Sequence, residues 1–101
     1  MSLYAFWCRD GEGSETKRAE QMGAHLAHIE ANIDRFAVAG PLKDGGETRA
    51  SLLVIKAESL EDARSLFESD PYFAAGVWDS VEAMDFAAVA GDWVGGAAWK
   101  Q

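Results

Sequence analysis

The sequence predicts an α+β sandwich in which two helices cover one face of a four-stranded antiparallel sheet. Short apolar segments bounded by turn residues alternate with two longer segments of helical periodicity. Their order is strand–helix–strand–strand–helix–strand, and two right-handed strand–helix–strand units of this kind form a ferredoxin-like βαββαβ sandwich. The chain has 101 residues, which is enough for one domain with a modest core.

The first half of the chain contains two predicted strands and the longer helix. Residues 3–8 are an apolar, aromatic-rich run too short for a helix, so they predict a buried strand. Residues 14–32 predict a helix whose buried face is marked by apolar side chains three and four residues apart: Met22, Leu26, Ile29 and Ile33. Residues 36–39 predict a second strand, which Pro41 either ends or confines to a sheet edge. Residues 43–46 predict a flexible polar loop.

The second half repeats this order and adds a tail. Residues 49–57 predict a central strand, because their apolar centre suggests burial on both faces. A capping-box pattern at residues 59–62 begins a helix that ends near Ser69. Residues 77–86 predict the last strand. Alternation along this strand places Trp78, Met84 and Phe86 on one face, and Val77, Val81 and Ala83 on the other.

Composition excludes several classes of partner. Nine basic and seventeen acidic residues give a formal net charge of −8, which argues against nucleic acid and anionic membranes as partners. We find neither an apolar run of membrane-spanning length nor a secretory leader, so we expect a cytoplasmic protein. The single Cys8 cannot form an internal disulfide bond, and we interpret it as a buried, unreactive thiol.

The predicted fold leaves one sheet face without a helix. In a chain this short the simplest cover is a second copy, so we expect a homodimer packed sheet to sheet. The sequence divides into a domain at residues 1–90 and a tail at residues 91–101. The tail is glycine-rich and carries Trp93 and Trp99, which are costly to leave in water, so we expect it to pack on its own or the partner subunit.

Both histidines lie on the first predicted helix. At 100° per residue, His25 lies roughly 70° from the centre of the apolar stripe and His28 roughly 130° away. We therefore expect His25 at the edge of a cleft, and His28 facing solvent or a partner subunit. A His-x-x-His pair without further ligands is a weak metal signal, so we predict no metal site.

Asp70 begins the segment that connects the second helix to the last strand. A carboxylate at the C-terminal end of a helix is destabilised by up to about 1 kcal/mol, so Asp70 needs a cation or a hydrogen-bond donor nearby. The alternative is that Asp70 is only a turn residue, because Asp-Pro is a common turn dipeptide. Tyr72 likewise has two interpretations, as a hydroxyl donor near the site or as an aromatic cover on the core.

An ordered set of short motifs resembles the YCII-related family. The motifs are Leu3-Tyr4, Lys17-Arg18, Ala24-His25-Leu26-Ala27, Ala39-Gly40-Pro41-Leu42, Asp70-Pro71-Tyr72 and Ala75-Gly76-Val77. The spacing between these motifs is compatible with that of the family from Leu3 to about Phe86, so the resemblance does not include the tail. The resemblance implies a fold of the dimeric α/β-barrel group and an active site built around one histidine and one aspartate, here His25 and Asp70. One member of the family is a dehydrochlorinase that acts on a chlorinated hydroxyquinol. Met22 stands where some members carry an arginine three residues before the histidine, which argues against recognition of an anionic substrate.

Two functions remain open from the sequence. The first is a small cofactor-free enzyme in which Asp70 orients His25 for proton abstraction, elimination or isomerisation on a small molecule, for example an aromatic one. The second is a non-catalytic binding module or accessory subunit with the same pocket. The first hypothesis predicts a direct or single-water hydrogen bond between His25 and Asp70, with Tyr72 nearby.

Overall fold

A computed structural model describes residues 1–100 of the chain. The first half contains β1 (Ser2–Asp10), α1 (Ser14–Ala31), β2 (Phe36–Asp44) and β3 (Glu47–Ala57). The second half contains α2 (Leu60–Glu68), α3 (Pro71–Ala74), β4 (Trp78–Phe86), β5 (Ala90–Gly91) and β6 (Gly96–Ala97). Short 3₁₀ turns occupy Ile33–Arg35, Asp92–Val94 and Ala98–Lys100.

The main sheet has four strands in the order β2-β3-β1-β4. All neighbouring pairs are antiparallel, and the helices pack on one face. This is the predicted ferredoxin-like α+β sandwich, and the fold class is confirmed. The central strands β1 and β3 supply much of the core, since Phe6 and Ile55 are fully buried between sheet and helices.

β2 is longer than the sequence predicted. It runs through Gly40 and Pro41, which pair with residues of β3, and ends at Asp44. Because β2 is an edge strand with a neighbour on one side only, it can include a proline that lacks an N–H group. The predicted flexible loop is instead a two-residue hairpin turn at Gly45 and Gly46, whose φ angles of 60° and 85° are those that a type I′ turn requires.

A bulge changes the facing of Trp78 from the one predicted. The register between β1 and β4 shifts between Arg9 and Asp10, so Asp10 pairs with Trp78 while Arg9 pairs with Ser80. The extra residue reverses the alternation at this end of β4. Trp78 is therefore buried on the helix side, stacked on Phe67 at 5.3 Å, rather than sharing the open face with Met84 and Phe86.

Helix α1 is turned about its axis relative to the prediction. Of the four apolar side chains expected in the core, only Ile29 packs against it, whereas Met22, Leu26 and Ile33 are exposed. The inward side carries polar groups that have specific partners. Ser14 donates to the carbonyl oxygens of Gly11 and Val77, and Arg18 forms an ion pair with Asp10. These contacts fix the rotation of the helix more strongly than its scattered apolar residues do.

The tail folds on itself. β5 and β6 form a two-stranded antiparallel sheet, and the Ala98 N–H donates to the Val89 carbonyl oxygen at 2.8 Å. Within a single subunit, Trp93 and Trp99 remain 84% and 71% exposed. Their predicted packing on a partner subunit stays a prediction. Within residues 1–100, no helix is both long and apolar enough to cross a membrane.

Candidate active site

Asp70 lies at the start of a helix rather than at the end of one. α2 ends at Glu68, and Asp70 is the N-cap of the short helix α3, with Pro71 at the first helical position. One carboxylate oxygen, Oδ1, accepts a hydrogen bond from the Tyr72 backbone N–H at 2.9 Å. The expected cost of an acidic group at a helix C-terminus is thereby removed, because an N-cap carboxylate satisfies a free N–H. The sequence did not show that a third helix begins here.

His25 on α1 contacts this carboxylate directly. Its Nδ1 atom lies 2.8 Å from Oδ1 and 2.9 Å from Oδ2 of Asp70. The Asp70 side chain is fully buried, and that of His25 is 16% exposed. An ionised carboxylate can only accept hydrogen bonds, so Nδ1 carries the proton and Nε2 keeps a free lone pair. The structure thus contains the contact that the sequence predicted between these two residues.

Tyr72 packs its ring against the imidazole of His25. The two rings are stacked with their centroids 3.8 Å apart and their planes 4° from parallel. The Tyr72 hydroxyl lies 3.3 Å from the Arg18 carbonyl oxygen and 3.4 Å from Met22 Sδ, so it is directed at α1. Burial raises the pKa of Tyr72, an effect that the positive charge of Arg18 opposes. The contact that Tyr72 makes with His25 is therefore through its aromatic face.

Arg18 is a site residue that the sequence reading did not single out. Its Nε and Nη2 atoms donate to Asp10 at 2.8 and 2.7 Å, and Nη2 also donates to Ser51 Oγ at 2.8 Å. Its guanidinium carbon lies 5.3 Å from the centre of the Tyr72 ring. A usable signal was present, because Arg18 precedes His25 by seven residues, or two helical turns, and so shares its face. Ser51 gave no such signal, since it sits in an apolar strand.

These side chains surround a cavity of about 210 Å³ between α1 and the β2–β3 side of the sheet. The polar residues in its lining are Arg18, His25, Ser51 and Tyr72. The remainder of the lining is made of Met22, Leu26, Ile29, Ala39, Gly40, Pro41 and Leu53. Asp70 is not part of the lining and lies behind His25. Because Nδ1 is bonded to Asp70, Nε2 is the ring nitrogen of His25 that a ligand can reach.

His28 is outside this cavity, and its predicted exposure to solvent is wrong, whereas the alternative of a contact with a partner subunit stays a prediction. The side chain is half-buried, with its ring edge-on to Phe36 at 6.4 Å between centroids. Its Nε2 atom is buried and has no hydrogen-bond partner among residues 1–100. The rotation of α1 that brings His25 inward also turns His28 toward the sheet. Within the same residues, no three His, Cys, Asp or Glu side chains cluster closely enough to hold a metal ion.

Comparison with known proteins agrees with this architecture. The chain matches the YCII-related domain over residues 2–87. It is 34% identical over 96 residues to the protein YciI of Escherichia coli O6:H1 and, equally, to that of Shigella flexneri, covering 86% of this chain and 98% of each relative. Among solved structures it is similar to a 5-chloro-2-hydroxyhydroquinone dehydrochlorinase (TftG) from Burkholderia phenoliruptrix, in complex with 2,5-dihydroxybenzoquinone. That likeness has a TM-score of 0.76 and 27% identity, and it covers 89% of this chain and 96% of the other. The chain is a member of the YCII-related family.

Proposed function

We propose that this protein is a cofactor-free enzyme in which His25 moves a proton to or from a small hydroxylated ring compound, in an elimination or isomerisation. The observation that carries the proposal is the His25–Asp70 contact at the wall of the cavity. It leaves a single imidazole nitrogen, Nε2, as an acceptor on the ligand side. Similarity to a dehydrochlorinase supports the reaction class.

In this proposal Asp70 and Tyr72 both position the imidazole of His25, each in a different way. Asp70 accepts a hydrogen bond from Nδ1–H, holds the imidazole in one tautomer and stabilises the imidazolium that forms when Nε2 takes a proton. Tyr72 is a positioning residue, because its ring lies flat against the imidazole and restricts its rotation. Asp70 is itself held by the Tyr72 N–H, so the carboxylate cannot turn away from His25.

The proposed step is a base-promoted elimination or a proton shift. His25 Nε2 removes a proton from the substrate, and the electron pair of the broken bond forms a new double bond. In an elimination the leaving group, chloride in the case of a chlorinated ring, departs with the electrons of its own bond. In an isomerisation the imidazolium returns the proton to another substrate atom. No electron acceptor is needed in either case, since neither step changes the overall oxidation level.

The cavity limits the size of the substrate. Its volume of about 210 Å³ is below the range of roughly 300–1,000 Å³ typical of sites for drug-sized ligands, so it suits a compound of about one ring. Its walls are largely apolar, with the polar groups restricted to Arg18, His25, Ser51 and Tyr72. A small aromatic or quinonoid ring with a few oxygen substituents matches this lining.

The test uses a panel of hydroquinones and quinones with and without chlorine, including 5-chloro-2-hydroxyhydroquinone. Chloride release reports elimination, and proton NMR in D₂O reports exchange of substrate hydrogens. We expect His25→Asn to lower the rate by about 10²–10⁴-fold, the usual contribution of a general base. His28→Gln is the matched control, since it removes an imidazole from the same helix outside the cavity, and it should retain the wild-type rate.

Two results would contradict the enzyme proposal. One is a wild-type rate equal to that of His25→Asn for every compound of the panel. The other is equal loss of rate in His25→Asn and His28→Gln, which would indicate a general effect on the helix. Ligand binding in the cavity without turnover would favour the binding module instead.

A further inference from the structure

We propose that Arg18 and Ser51 form an oxyanion-binding corner of the cavity, which selects substrates with a negatively charged ring oxygen, such as a phenolate or an enolate. The inference rests on the proposed function, because it names the substrate class of the same cavity. In this proposal Arg18 supplies the positive charge that is missing at Met22, the position where some members of the family carry an arginine.

Arg18 has donor capacity left over after its internal contacts. The guanidinium carries five N–H groups, and its hydrogen bonds to Asp10, Ser51 Oγ and the Ala50 carbonyl oxygen all start from Nε and Nη2. The two N–H groups of Nη1 make no hydrogen bond to residues 1–100. At least one donor of Nη1 therefore remains for a ligand in the cavity.

Ser51 has an unused donor as well. Its Oγ atom accepts from Arg18 Nη2 at 2.8 Å and from Trp78 Nε1 at 3.3 Å, which fills both acceptor positions of a hydroxyl. The O–H hydrogen then needs an acceptor of its own, and residues 1–100 place none in bonding geometry. Ser51 is only 6% exposed and lines the cavity. Since leaving a buried hydroxyl donor without an acceptor is costly, a ligand oxygen in this corner is favoured.

The charges around the corner favour an anionic oxygen over a neutral one. No carboxylate is among the residues that line the cavity. Asp10 contacts Arg18 on its Nε and Nη2 side, so the Nη1 side of the cation is the one open to a ligand. Both Arg18 and Asp10 are largely buried, with side chains 12% and 11% exposed, which strengthens a charge-assisted hydrogen bond.

The corner complements His25 chemically. In this proposal His25 Nε2 is the acceptor on the cavity wall, and Arg18 Nη1 and Ser51 Oγ are the two donors, all on residues that line the cavity. The rest of the lining is mainly apolar and suits a ring face. A substrate that places an acidic hydrogen at Nε2 and an anionic oxygen at the corner uses all three groups, and charge that develops on that oxygen during proton removal is stabilised there.

The experiment compares the affinity of 2,5-dihydroxybenzoquinone, which is ionised at neutral pH, with that of its neutral ether 2,5-dimethoxybenzoquinone by calorimetry. We expect wild type to bind the ionised compound at least tenfold more tightly. Arg18→Lys and Ser51→Ala should each reduce this preference about tenfold, while changing the affinity for the ether by about twofold or less. Ser51→Ala keeps the buried Arg18–Asp10 pair, so the test does not depend on Arg18→Lys folding.

Two further variants separate this proposal from the proposed function. His25→Asn should lose turnover but keep the preference for the ionised ligand, and His28→Gln should keep both. A preference that survives in Arg18→Lys and Ser51→Ala would overturn the corner, as would equal or undetectable wild-type binding of the two ligands. Neither result affects the comparison of turnover between wild type and His25→Asn, which tests the proton-transfer role separately.

Discussion

At the scale of single residues, Asp70 combines a structural role with the chemical role that we propose for it. Its carboxylate caps α3 by accepting a hydrogen bond from the Tyr72 N–H, and it also accepts a hydrogen bond from His25 Nδ1. The sequence predicted that this carboxylate needs a donor nearby, and the structure supplies two. Asparagine is also a good N-cap, but its amide cannot reproduce two carboxylate acceptors toward an imidazole. The two roles can therefore be separated by substitution.

Asp70→Ala should lower the free energy of unfolding by about 1–3 kcal/mol, because it removes the N-cap and leaves His25 Nδ1 without its partner. Asp70→Asn should be destabilised by less, since it retains the cap. Urea denaturation followed by circular dichroism measures both values. Equal stabilities of Asp70→Ala and wild type would show that the buried contacts of this carboxylate contribute nothing to the fold.

Cys8 makes alkaline stability sensitive to one buried thiol. Burial raises the pKa of Cys8 from 9.0 to about 12, and the negative charge of Asp70 adds to this. Above pH 9 the unfolded chain loses the thiol proton while the folded chain keeps it, so stability falls as the pH rises. The slope from this group is about 1.4 kcal/mol per pH unit between pH 9 and 12. Cys8→Ala should lack that part of the slope in denaturation curves at pH 8, 9.5 and 10.5, and parallel curves for the two proteins would refute it.

At the scale of elements, α1 shows what the pattern of residues could and could not predict. Helical spacing predicted its length to within a residue, because periodicity depends on the chain alone. Its rotation depends on partners distant in sequence, namely Asp10, Ser51 and Asp70, which hold Arg18 and His25 inward. Met22 and Leu26, which were expected in the core, instead line the open cavity beside His25. The sequence predicted that His25 lies at the edge of a cleft, but it did not show the distant partners that hold the helix in this orientation.

The rotation of α1 can be tested with two matched substitutions. The sequence pattern treats Leu26 and Ile29 as equivalent core residues, whereas the structure exposes Leu26 by 54% and packs Ile29 against the core. We expect Ile29→Ala to cost about 1–3 kcal/mol of unfolding free energy and Leu26→Ala less than about 1 kcal/mol. Denaturant midpoints of the two variants provide the comparison. A larger loss for Leu26→Ala would contradict this orientation of the helix.

At the scale of the whole molecule, large apolar side chains stay exposed both on the open sheet face and in the tail. The open face of β4 carries Met84 and Phe86, exposed by 64% and 46%, and the tail presents Trp93 and Trp99 close behind in sequence. Element order was enough to predict this topology, since few chiral arrangements of two strand–helix–strand units exist. The bulge that buries Trp78 was not predictable, because alternation along β4 gives no sign of an inserted residue.

We predict that the protein is a homodimer formed through the open sheet face. Sedimentation at micromolar concentration should give twice the mass of one chain, because exposed apolar side chains of this size favour burial against a second copy. Met84→Glu places a charge on that face and should yield monomers. Glu82→Gln, which removes a negative charge from the same strand instead of adding one, is the control and should stay dimeric. Wild type sedimenting as a stable monomer would refute the prediction.

The most direct test of the proposed dyad is to determine which ring nitrogen of His25 carries the proton. Nitrogen-15 NMR of the imidazole at roughly pH 8.5, where an ordinary histidine is neutral, distinguishes protonated from unprotonated ring nitrogens. In wild type we expect the proton on Nδ1 and a free lone pair on Nε2. In Asp70→Asn the amide can donate to Nδ1, so the proton should move to Nε2 and turnover should fall with it. The same tautomer in both proteins, or a wild-type proton on Nε2, would contradict the assignment of His25 as a base oriented by Asp70.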